Sequence, residues 1–168
     1  MTVPGTDRLK TVEDIDWAQW RAVDTATLTL ITRNDQVLLI RKKRGLGAGK
    51  ITGPGGRQEK GETIQACAVR EVEEEVHITP ADPRARGELR FQFLDGYSIH
   101  VHVFTASAHR GEAQESDEAT PLWTPIDSIP YEQMWADDIL WLPRVLAGQS
   151  VSGYFLFDGD RMVDYRLT

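Results

Sequence analysis

The sequence predicts an α/β protein of the α+β type, in which a mixed β-sheet lies between helices. Short segments with alternating apolar residues, which are typical of strands, occur in pairs joined by turns, and two longer segments have helical periodicity. Strands and helices do not follow one another in a regular βαβ order, which argues against a purely parallel sheet. The 168 residues suit one domain with a single hydrophobic core.

Turn residues separate the predicted strands. The segment Arg-Asn-Asp-Gln at 33–36 and the Asp-Gly pairs at 95–96 and 158–159 each join two apolar segments, which predicts three hairpins. The predicted strands are, in chain order, 26–32, 37–41, 89–94, 98–106, 122–126, 154–157 and 162–166.

Helical periodicity occurs in two places. Helices are predicted over 63–76 and over 138–146, and the second is expected to stop near Gly148. Two glycine-rich segments, 45–49 and 53–56, lie before the first helix and are predicted to be loops.

The N-terminal segment differs from the rest of the chain. Residues 12–23 are predicted to form a short helix that carries Trp17 and Trp20. The segment 1–24 is interpreted as an N-terminal arm, and residues 25–168 as the main domain. Two roles stay open for the arm, which either packs against the domain or covers a ligand pocket as a lid.

Composition and charge exclude several classes of partner. The formal net charge is -7, whereas nucleic-acid-binding domains are usually basic, so a nucleic-acid polymer is not expected as a partner. No stretch approaches the apolar length of a membrane helix, and no signal-peptide pattern is present. Cys67 is the single cysteine, so no intrachain disulfide can form, and the protein is expected to be cytoplasmic. A monomer is the favoured oligomeric state.

The first predicted helix has carboxylates where an ordinary surface helix has apolar side chains. Its apolar face consists of Ile64, Cys67, Ala68 and Val72. Glu71 and Glu75 fall within that face, Glu74 falls at its edge, and Glu73 points away. Arg70 alone cannot neutralise three carboxylates, whereas a hard divalent cation can. The alternative is a solvated acidic helix end, which the glycine loops before the helix disfavour.

Residues 56–78 resemble the Nudix box, in which a glycine and a glutamate precede Arg-Glu-U-x-Glu-Glu-x-Gly-U, U being a bulky apolar residue. The matching residues are Gly56, Glu62, Arg70, Glu71, Val72, Glu74, Glu75 and Ile78. His77 stands where the pattern has glycine. Histidine tolerates left-handed backbone geometry better than most residues, so the change affects loop shape more than chemistry.

The resemblance implies a fold, a cofactor and a set of roles. In Nudix enzymes a mixed sheet lies between helices, and a loop-helix-loop holds the box. The implied cofactor is Mg²⁺, with Mn²⁺ as a substitute. By resemblance, the metal ligands are the Gly55 carbonyl, Glu71, Glu74, Glu75 and Glu118. Arg70 is expected to orient a glutamate and Glu62 to brace the loop, while the general base stays open between Glu75 and Glu118.

Beyond the box, the chain is similar to the MutT-homologue branch of Nudix enzymes, which hydrolyses oxidised purine nucleoside triphosphates. The stretches that carry this resemblance are 42–49, 115–118, 134–138 with Trp141, and 153–155 with 164–165. It implies conversion of 8-oxo-dGTP or 2-oxo-dATP to the monophosphate and pyrophosphate, and thus sanitation of the nucleotide pool. The implied substrate-binding residues are Thr27, Lys42, Leu46, Thr52, Phe91, Trp135, Asp137, Asp138 and Trp141.

In that branch a tryptophan stacks on the purine and two aspartates hydrogen-bond its edge, roles that map to Trp135, Asp137 and Asp138. The alternative is that both aspartates only cap the helix that follows. Thr52 replaces an asparagine of the branch and Leu46 an aromatic residue. These changes keep open the same chemistry on another nucleotide, such as an unmodified or alkylated purine triphosphate or a dinucleoside polyphosphate.

Two further interpretations remain. A nucleotide-binding module without catalysis is disfavoured, because the box keeps every carboxylate. His100 and His102 lie two apart on a predicted strand and share one face. We expect them to be solvent-facing polar residues. The alternative, a zinc-binding pair, has no cysteine or acidic partner at suitable spacing in the sequence.

Overall fold

The computed structural model of the chain describes residues 5–168. The strands are β1 (Asp24–Arg33), β2 (Gln36–Lys42), β3 (Ile51–Thr52), β4 (Gly55–Arg57), β5 (Thr79–Pro80), β6 (Arg84–Phe93), β7 (Ser98–Ala106), β8 (His109–Arg110), β9 (Ala119–Pro125), β10 (Val151–Asp158) and β11 (Arg161–Leu167). The α-helices are α1 (Ile64–Val76) and α2 (Asp138–Leu146). No helix in residues 5–168 is long and apolar enough to cross a membrane.

Most strands belong to one sheet, which is mixed, as the sequence predicts, and has nine strands. Its path runs β11-β10-β6-β7-β1-β2-β3, while β4 pairs with β1 and β9 pairs with β2. The β1–β7 and β6–β10 pairs are parallel, and the other pairs are antiparallel. The three predicted hairpins are present as β1–β2, β6–β7 and β10–β11.

Strand boundaries differ from the sequence prediction where a neighbouring strand supplies the pairing. The prediction starts one strand at residue 89, whereas β6 starts at Arg84, and it starts another at residue 154, whereas β10 starts at Val151. The two extensions pair with each other, with Val151 opposite Gly87. Each extension pairs with a strand far along the chain. Neither segment has the alternation of apolar and polar residues that would predict a strand from the sequence.

The two helices lie on opposite faces of the sheet, in agreement with the predicted architecture. On α1, Val72 and Val76 pack against Ile31 and Ile40 in one buried cluster. On the other face, α2 contributes Trp141, Leu142 and Val145 to the second cluster, which contains core residues of β1, β6 and β10.

Helix α1 has defined ends that position the acidic side chains. Thr63 caps the N-terminus, because its hydroxyl accepts a hydrogen bond from the Ala66 N–H at 3.1 Å. His77 ends the helix in the left-handed conformation, with φ 63° and its N–H bonded to the Glu73 carbonyl. Histidine therefore adopts the geometry that glycine serves in the Nudix pattern, as predicted.

The N-terminal segment does not form the predicted helix over 12–23. Only Val12–Asp14 makes one turn of 3-10 helix, and Ile15 is already extended. The spacing of the apolar residues predicts a helical face, but these residues pack on the sheet instead. Trp17 contacts the Tyr154 ring edge-on at 4.8 Å, and the Trp20 indole N–H donates to the Gln92 Oε1 at 2.9 Å.

The described part of the arm, 5–23, covers the sheet face that we call the outer face. Gln92 and Tyr154 point to this face, whereas Phe91 and Phe155, their neighbours along the strands, point to the opposite one. No residue of 5–23 lines the cleft described below. The arm therefore packs against the domain, and this part of it does not form a lid over the cleft.

Candidate active site

A cleft of about 950 Å³ opens on the sheet face opposite the arm. Two groups of side chains face it. The acidic wall consists of Glu71, Glu74, Glu75 and Glu118, and the aromatic wall consists of Phe91, Phe93, Trp135, Asp137, Asp138 and Trp141. The same cavity is thus lined by a carboxylate cluster on one side and by aromatic rings on the other, with Asp137 and Asp138 next to the rings.

Helix α1 aims its carboxylates as the helical wheel predicts. Glu71 is 9% exposed and Glu75 is 3% exposed, although both are charged residue types. Glu74 lies at the exposed edge, and Glu73 points away from the cleft, where it accepts a hydrogen bond from the Thr79 hydroxyl. Carboxylates placed in a buried helix face need a compensating charge.

The fold supplies only part of that compensation. Burial raises the pKa of Glu75 to about 8, and its Oε1 accepts a hydrogen bond from the Gly55 N–H at 2.7 Å. Burial also raises the pKa of Glu71. Burial lowers the pKa of the nearby Lys42 ammonium, whose Nζ donates to the Leu46 carbonyl at 2.8 Å. A cluster of hard oxygen donors with uncompensated charge suits a divalent cation of the Mg²⁺ type.

Arg70 ties the box carboxylates together. Its guanidinium bonds Glu62 at 2.9 Å, Glu71 at 2.9 Å and Glu74 at 3.1 Å. The hydrogen bonds from Arg70 lower the pKa of Glu62 to about 2, so Glu62 stays ionised and holds Arg70 in return. This network fixes the rotamer of Glu71 and leaves Glu75 free of any ion pair among the described residues.

Two glycines of β4 allow close approaches, Gly56 to helix α1 and Gly55 to strand β1. A Cβ on Gly56 would lie 2.2 Å from a Glu71 carboxylate oxygen, and a Cβ on Gly55 would lie 1.9 Å from the Thr27 carbonyl oxygen. Neither position accepts a side chain without movement of a cleft residue. The backbone of Gly55 therefore reaches the acidic wall directly.

Glu118 joins the acidic wall from the loop before β9. Its carboxylate accepts a hydrogen bond from Arg44 at 3.0 Å, and its backbone carbonyl accepts one from the Lys43 N–H at 2.9 Å. Lys43 in turn pairs with Glu115. These contacts connect residues 43–44, which lie just before the glycine loop at 45–49, to the loop that carries Glu118. Both candidates for the general base, Glu75 and Glu118, face the same cleft.

The aromatic wall is built around Trp135. Its indole meets the rings of Phe93 and Phe157 at near-perpendicular angles of 74° and 80°. Gly47 lies against the indole nitrogen, where a Cβ would come within 2.7 Å. The Lys50 ammonium lies 5.1 Å from the ring centroid. The tryptophan is therefore held in one orientation while part of it stays open to the cleft.

Asp137 and Asp138 are buried beside Trp135 and do not cap helix α2. Asp137 occupies the N-cap position but makes no capping hydrogen bond, and its Oδ2 accepts from the Trp141 indole at 2.8 Å. Its Oδ1 is buried without a hydrogen-bond partner among the described residues. Burial raises the pKa of both acids, and repulsion from Asp137 raises that of Asp138 further. The capping interpretation is thus excluded for Asp137.

The remaining candidate residues surround these two walls. Phe91 stacks on Phe155 at 5.0 Å and lines the cleft. The Thr27 hydroxyl lies 3.6 Å from the Cys67 sulfur, toward α1, although Thr27 also borders the cleft. Thr52 lies in the wall, and Leu46 is 45% exposed at the glycine loop. The fold therefore brings every candidate site residue to one cavity except Glu62, which lies behind its wall and is held by Arg70.

This geometry agrees with a comparison against known families. A profile of the NUDIX domain matches residues 21–145. This chain belongs to the Nudix family. Nudix hydrolases are enzymes that generally use divalent metal cations and act on small nucleotide substrates.

Known Nudix proteins resemble the chain in sequence and in structure. It is 46% identical over 143 residues to an oxidized purine nucleoside triphosphate hydrolase from Danio rerio, covering 84% of this chain and 92% of the relative. The protein of the same name from Mus musculus is 38% identical with the same coverage. A crystal structure of a MutT protein from Bacillus halodurans superposes with a TM-score of 0.78 at 30% identity, covering 86% of this chain and 97% of that one.

Sequence reasoning missed several residues that shape the Nudix cleft. The sequence does not predict Gly47, Phe93 and Arg44 as site residues. In the structure, Gly47 and Phe93 lie against Trp135, and Arg44 contacts Glu118. Gly47 lies in a glycine-rich loop, and this was a usable signal for a close approach. The contacts of Phe93 and Arg44 join elements far apart in the chain, and nothing local in the sequence indicates them.

Proposed function

We propose that this Nudix protein hydrolyses oxidised purine nucleoside triphosphates, such as 8-oxo-dGTP and 2-oxo-dATP, to the monophosphate and pyrophosphate. Mg²⁺ is the proposed cofactor, and sanitation of the nucleotide pool is the proposed role. The names of the Danio rerio and Mus musculus relatives support the substrate class. The observation that carries the proposal is the buried pair Asp137 and Asp138 beside the Trp135 indole.

That pair suits a base whose edge carries both donors and acceptors. A protonated acid donates a hydrogen bond and an ionised one accepts. Two adjacent buried carboxyl groups favour the state in which one of them keeps its proton. Burial raises the pKa of both acids, and a side-chain hydrogen bond between them favours the ionised form of Asp137 and raises the pKa of Asp138 further, so Asp138 is the member expected to keep the proton. Oxidation of a purine changes the pattern of groups on its edge, so such a pair can distinguish the oxidised base.

In the proposed mechanism, the triphosphate lies along the acidic wall while the base stacks on Trp135. When bound, a divalent cation polarises the phosphate chain and lowers the pKa of the attacking water. Glu71, Glu74, Glu75, Glu118 and the Gly55 carbonyl are the proposed residues that hold it. Arg70 keeps Glu71 oriented through the contact at 2.9 Å. Glu75 or Glu118 accepts the proton of the attacking water.

A second substrate class is favoured by one feature of the cleft. The Leu46 side chain is 45% exposed, and Thr52 offers a short hydroxyl where a longer amide would reach the base. A looser pocket of this kind also accepts an unmodified or alkylated purine nucleotide, or a dinucleoside polyphosphate. The proposed chemistry at the acidic wall is the same in both cases.

A panel of triphosphates distinguishes the two substrate classes. Pyrophosphate release with Mg²⁺ is measured for 8-oxo-dGTP, 2-oxo-dATP, O6-methyl-dGTP, dGTP and dATP. We expect kcat/KM for an oxidised purine to exceed that of its parent by at least about tenfold, because unpaired buried groups penalise the wrong base. Comparable rates for all five nucleotides would contradict the proposed specificity while leaving Nudix hydrolysis intact.

Gly47→Ala tests the orientation of Trp135. The added methyl group would lie 2.7 Å from the indole nitrogen, so the ring must move. We expect KM for the oxidised substrate to rise by about five- to tenfold, since base stacking contributes about 1–3 kcal/mol. Steady-state kinetics on 8-oxo-dGTP provide the measurement.

Gly49→Ala is the matched control for that variant. Gly49 lies in the same loop with φ +90°, close to the +79° of Gly47, but a Cβ there meets nothing within 4 Å. Both variants therefore carry a similar backbone penalty, of about 1 kcal/mol. Equal rises in KM for the two would show that loop strain, and not the position of Trp135, determines the effect.

A further inference from the structure

Three potential metal ligands meet on the outer face of the sheet. Glu88 comes from β6, and His100 and His102 come from β7. The His100 Nε2 lies 2.8 Å from the Glu88 Oε1, and the His102 Nδ1 lies 3.8 Å from the same oxygen. The two imidazole rings stack with centroids 4.5 Å apart. The sequence contained no acidic partner near the histidines, and the fold supplies one.

The strand register explains the cluster. Glu88 pairs with His102 across the β6–β7 ladder, and His100 lies diagonally next to it. All three side chains point away from the cleft, because Leu89 and Val101, their neighbours along the strands, line its wall. The cluster is therefore separate from the acidic wall and lies on the other side of the same two strands.

We propose that Glu88, His100 and His102 form a transition-metal site that binds Zn²⁺, with water as the fourth ligand. Zinc accepts imidazole nitrogen and carboxylate oxygen at about 2.0–2.2 Å in a tetrahedral arrangement, which places its ligands about 3.4 Å from one another. The observed separations of 2.8 and 3.8 Å lie on either side of that value. All three donor atoms fall within 4.8 Å of one another, so small rotations bring them to one ion.

The surroundings favour a cation in this position. Burial lowers the pKa of both imidazoles, so they are neutral near pH 7 and need not lose a charge to bind. Between 24% and 45% of each side chain is exposed, which leaves access for an ion and its water. The Trp20 ring lies 6.2 Å from His100 and partly covers the cluster.

One neighbouring charge opposes the cation. The Arg90 guanidinium lies 3.9 Å from the Glu88 Oε1. It is held to one side, because it packs over the Tyr154 ring at 4.6 Å and donates to the Ser152 hydroxyl at 3.2 Å. The shortest contact of Glu88 is therefore with His100, and Arg90 does not stand between the three ligands.

Besides these small rotations, binding requires a defined hydrogen position on each ring. His100 now shares a hydrogen bond with Glu88 through Nε2. The ion takes that position, and the ring hydrogen of the neutral imidazole resides on Nδ1. His102 binds through Nδ1 and keeps its hydrogen on Nε2. The two nitrogen donors distinguish this cluster from the all-oxygen acidic wall, where Mg²⁺ is the better-suited ion.

Histidine NMR of the unmodified protein tests the site directly. Zn²⁺ is added in the presence of a large excess of Mg²⁺, which occupies the acidic wall. We expect the ring resonances of His100 and His102 to shift together, while those of His77 and His109 stay in place. Zinc-induced shifts of all four histidines, or of neither His100 nor His102, would overturn the proposal.

Variants measure the affinity of the same site. By isothermal titration with Zn²⁺ and excess Mg²⁺, we expect His102→Gln to weaken binding by at least about tenfold, since even loss of a residue that only orients a metal ligand costs that much. His109→Gln is the control, because His109 lies against Trp123, outside the cluster. Zinc should also raise the melting temperature of the wild type and of His109→Gln but not that of His102→Gln. Equal zinc affinity in all three proteins would contradict the assignment.

Discussion

Glu75→Gln is expected to lower kcat by at least about 10³-fold, because it removes a proposed metal ligand and a candidate base. The substitution keeps the shape of the side chain, and the amide oxygen can still accept the 2.7 Å hydrogen bond from the Gly55 N–H. Single-turnover hydrolysis of 8-oxo-dGTP with Mg²⁺ is the measurement. The fold should survive, since burial raises the pKa of Glu75 to about 8, so a neutral amide replaces a largely protonated carboxyl of the same shape and no packing is removed.

Glu73→Gln is the matched control on the same helix. Glu73 is exposed and points away from the cleft. Among the described residues, its carboxylate accepts a hydrogen bond only from the Thr79 hydroxyl. We expect its kcat to stay within about twofold of the wild type, in keeping with the small effects of most exposed substitutions. A Glu75→Gln variant that kept more than about a tenth of the wild-type kcat would remove Glu75 from the proposed machinery.

Asp138→Ala is expected to lower kcat/KM for an oxidised purine by at least about 10²-fold and to reduce the preference over the parent base. The reason is that a site built to hydrogen-bond a base edge loses both the bond and the discrimination when one partner is removed. Asp138→Asn should stay within about tenfold of the wild type, because an amide is neutral and still donates. Kinetics on 8-oxo-dGTP and dGTP separate the two variants.

The pH dependence of the free energy of unfolding gives a second test of Asp138→Asn, and its sign can be predicted. Burial and Asp137 raise the pKa of Asp138 well above its usual value, so the folded chain keeps a proton that the unfolded chain releases above about pH 4. The contribution of Asp138 to wild-type stability therefore falls as pH rises through the interval between those two pKa values. The asparagine variant carries no such proton.

We expect the free energy of unfolding of Asp138→Asn minus that of the wild type to be higher by at least about 1 kcal/mol near pH 8 than near pH 5, so the variant gains stability relative to the wild type as pH rises. Denaturant unfolding at the two pH values measures it. Asp127→Asn, an exposed aspartate that contacts only Ser128 through its side chain, is the control and should show no such difference. An equal effect of pH on both variants would contradict a protonated Asp138 in the fold.

Much of the acidic wall could be predicted without coordinates. The spacing of Glu71, Glu74 and Glu75 relative to the apolar residues of α1 already places two carboxylates in a buried face. The glycines of β4 and the left-handed His77 could be interpreted in the same way. These are local properties, because a helix or a turn brings together residues that lie within a few positions of one another.

The arm and the outer face could not be predicted in this way. The apolar spacing of Trp17 and Trp20 is compatible with a helix, but their rings pack on Tyr154 and toward Gln92, far along the chain. Likewise, His100 and His102 had no acidic partner until the β6–β7 register placed Glu88 beside them. Contacts of this kind are decided by pairing and packing between distant segments, which local propensity does not encode.

The sequence by itself therefore determined the placement of the carboxylates on α1, the mixed sheet between helices and the resemblance to Nudix enzymes. Periodicity and residue type are sufficient for these, since each depends on neighbours in the chain. Only the tertiary structure decided that Asp137 bonds Trp141 and does not cap α2, and that the described arm packs away from the cleft. The physical reason is burial: what a side chain faces, and hence its charge and partners, depends on elements that meet only in the folded protein.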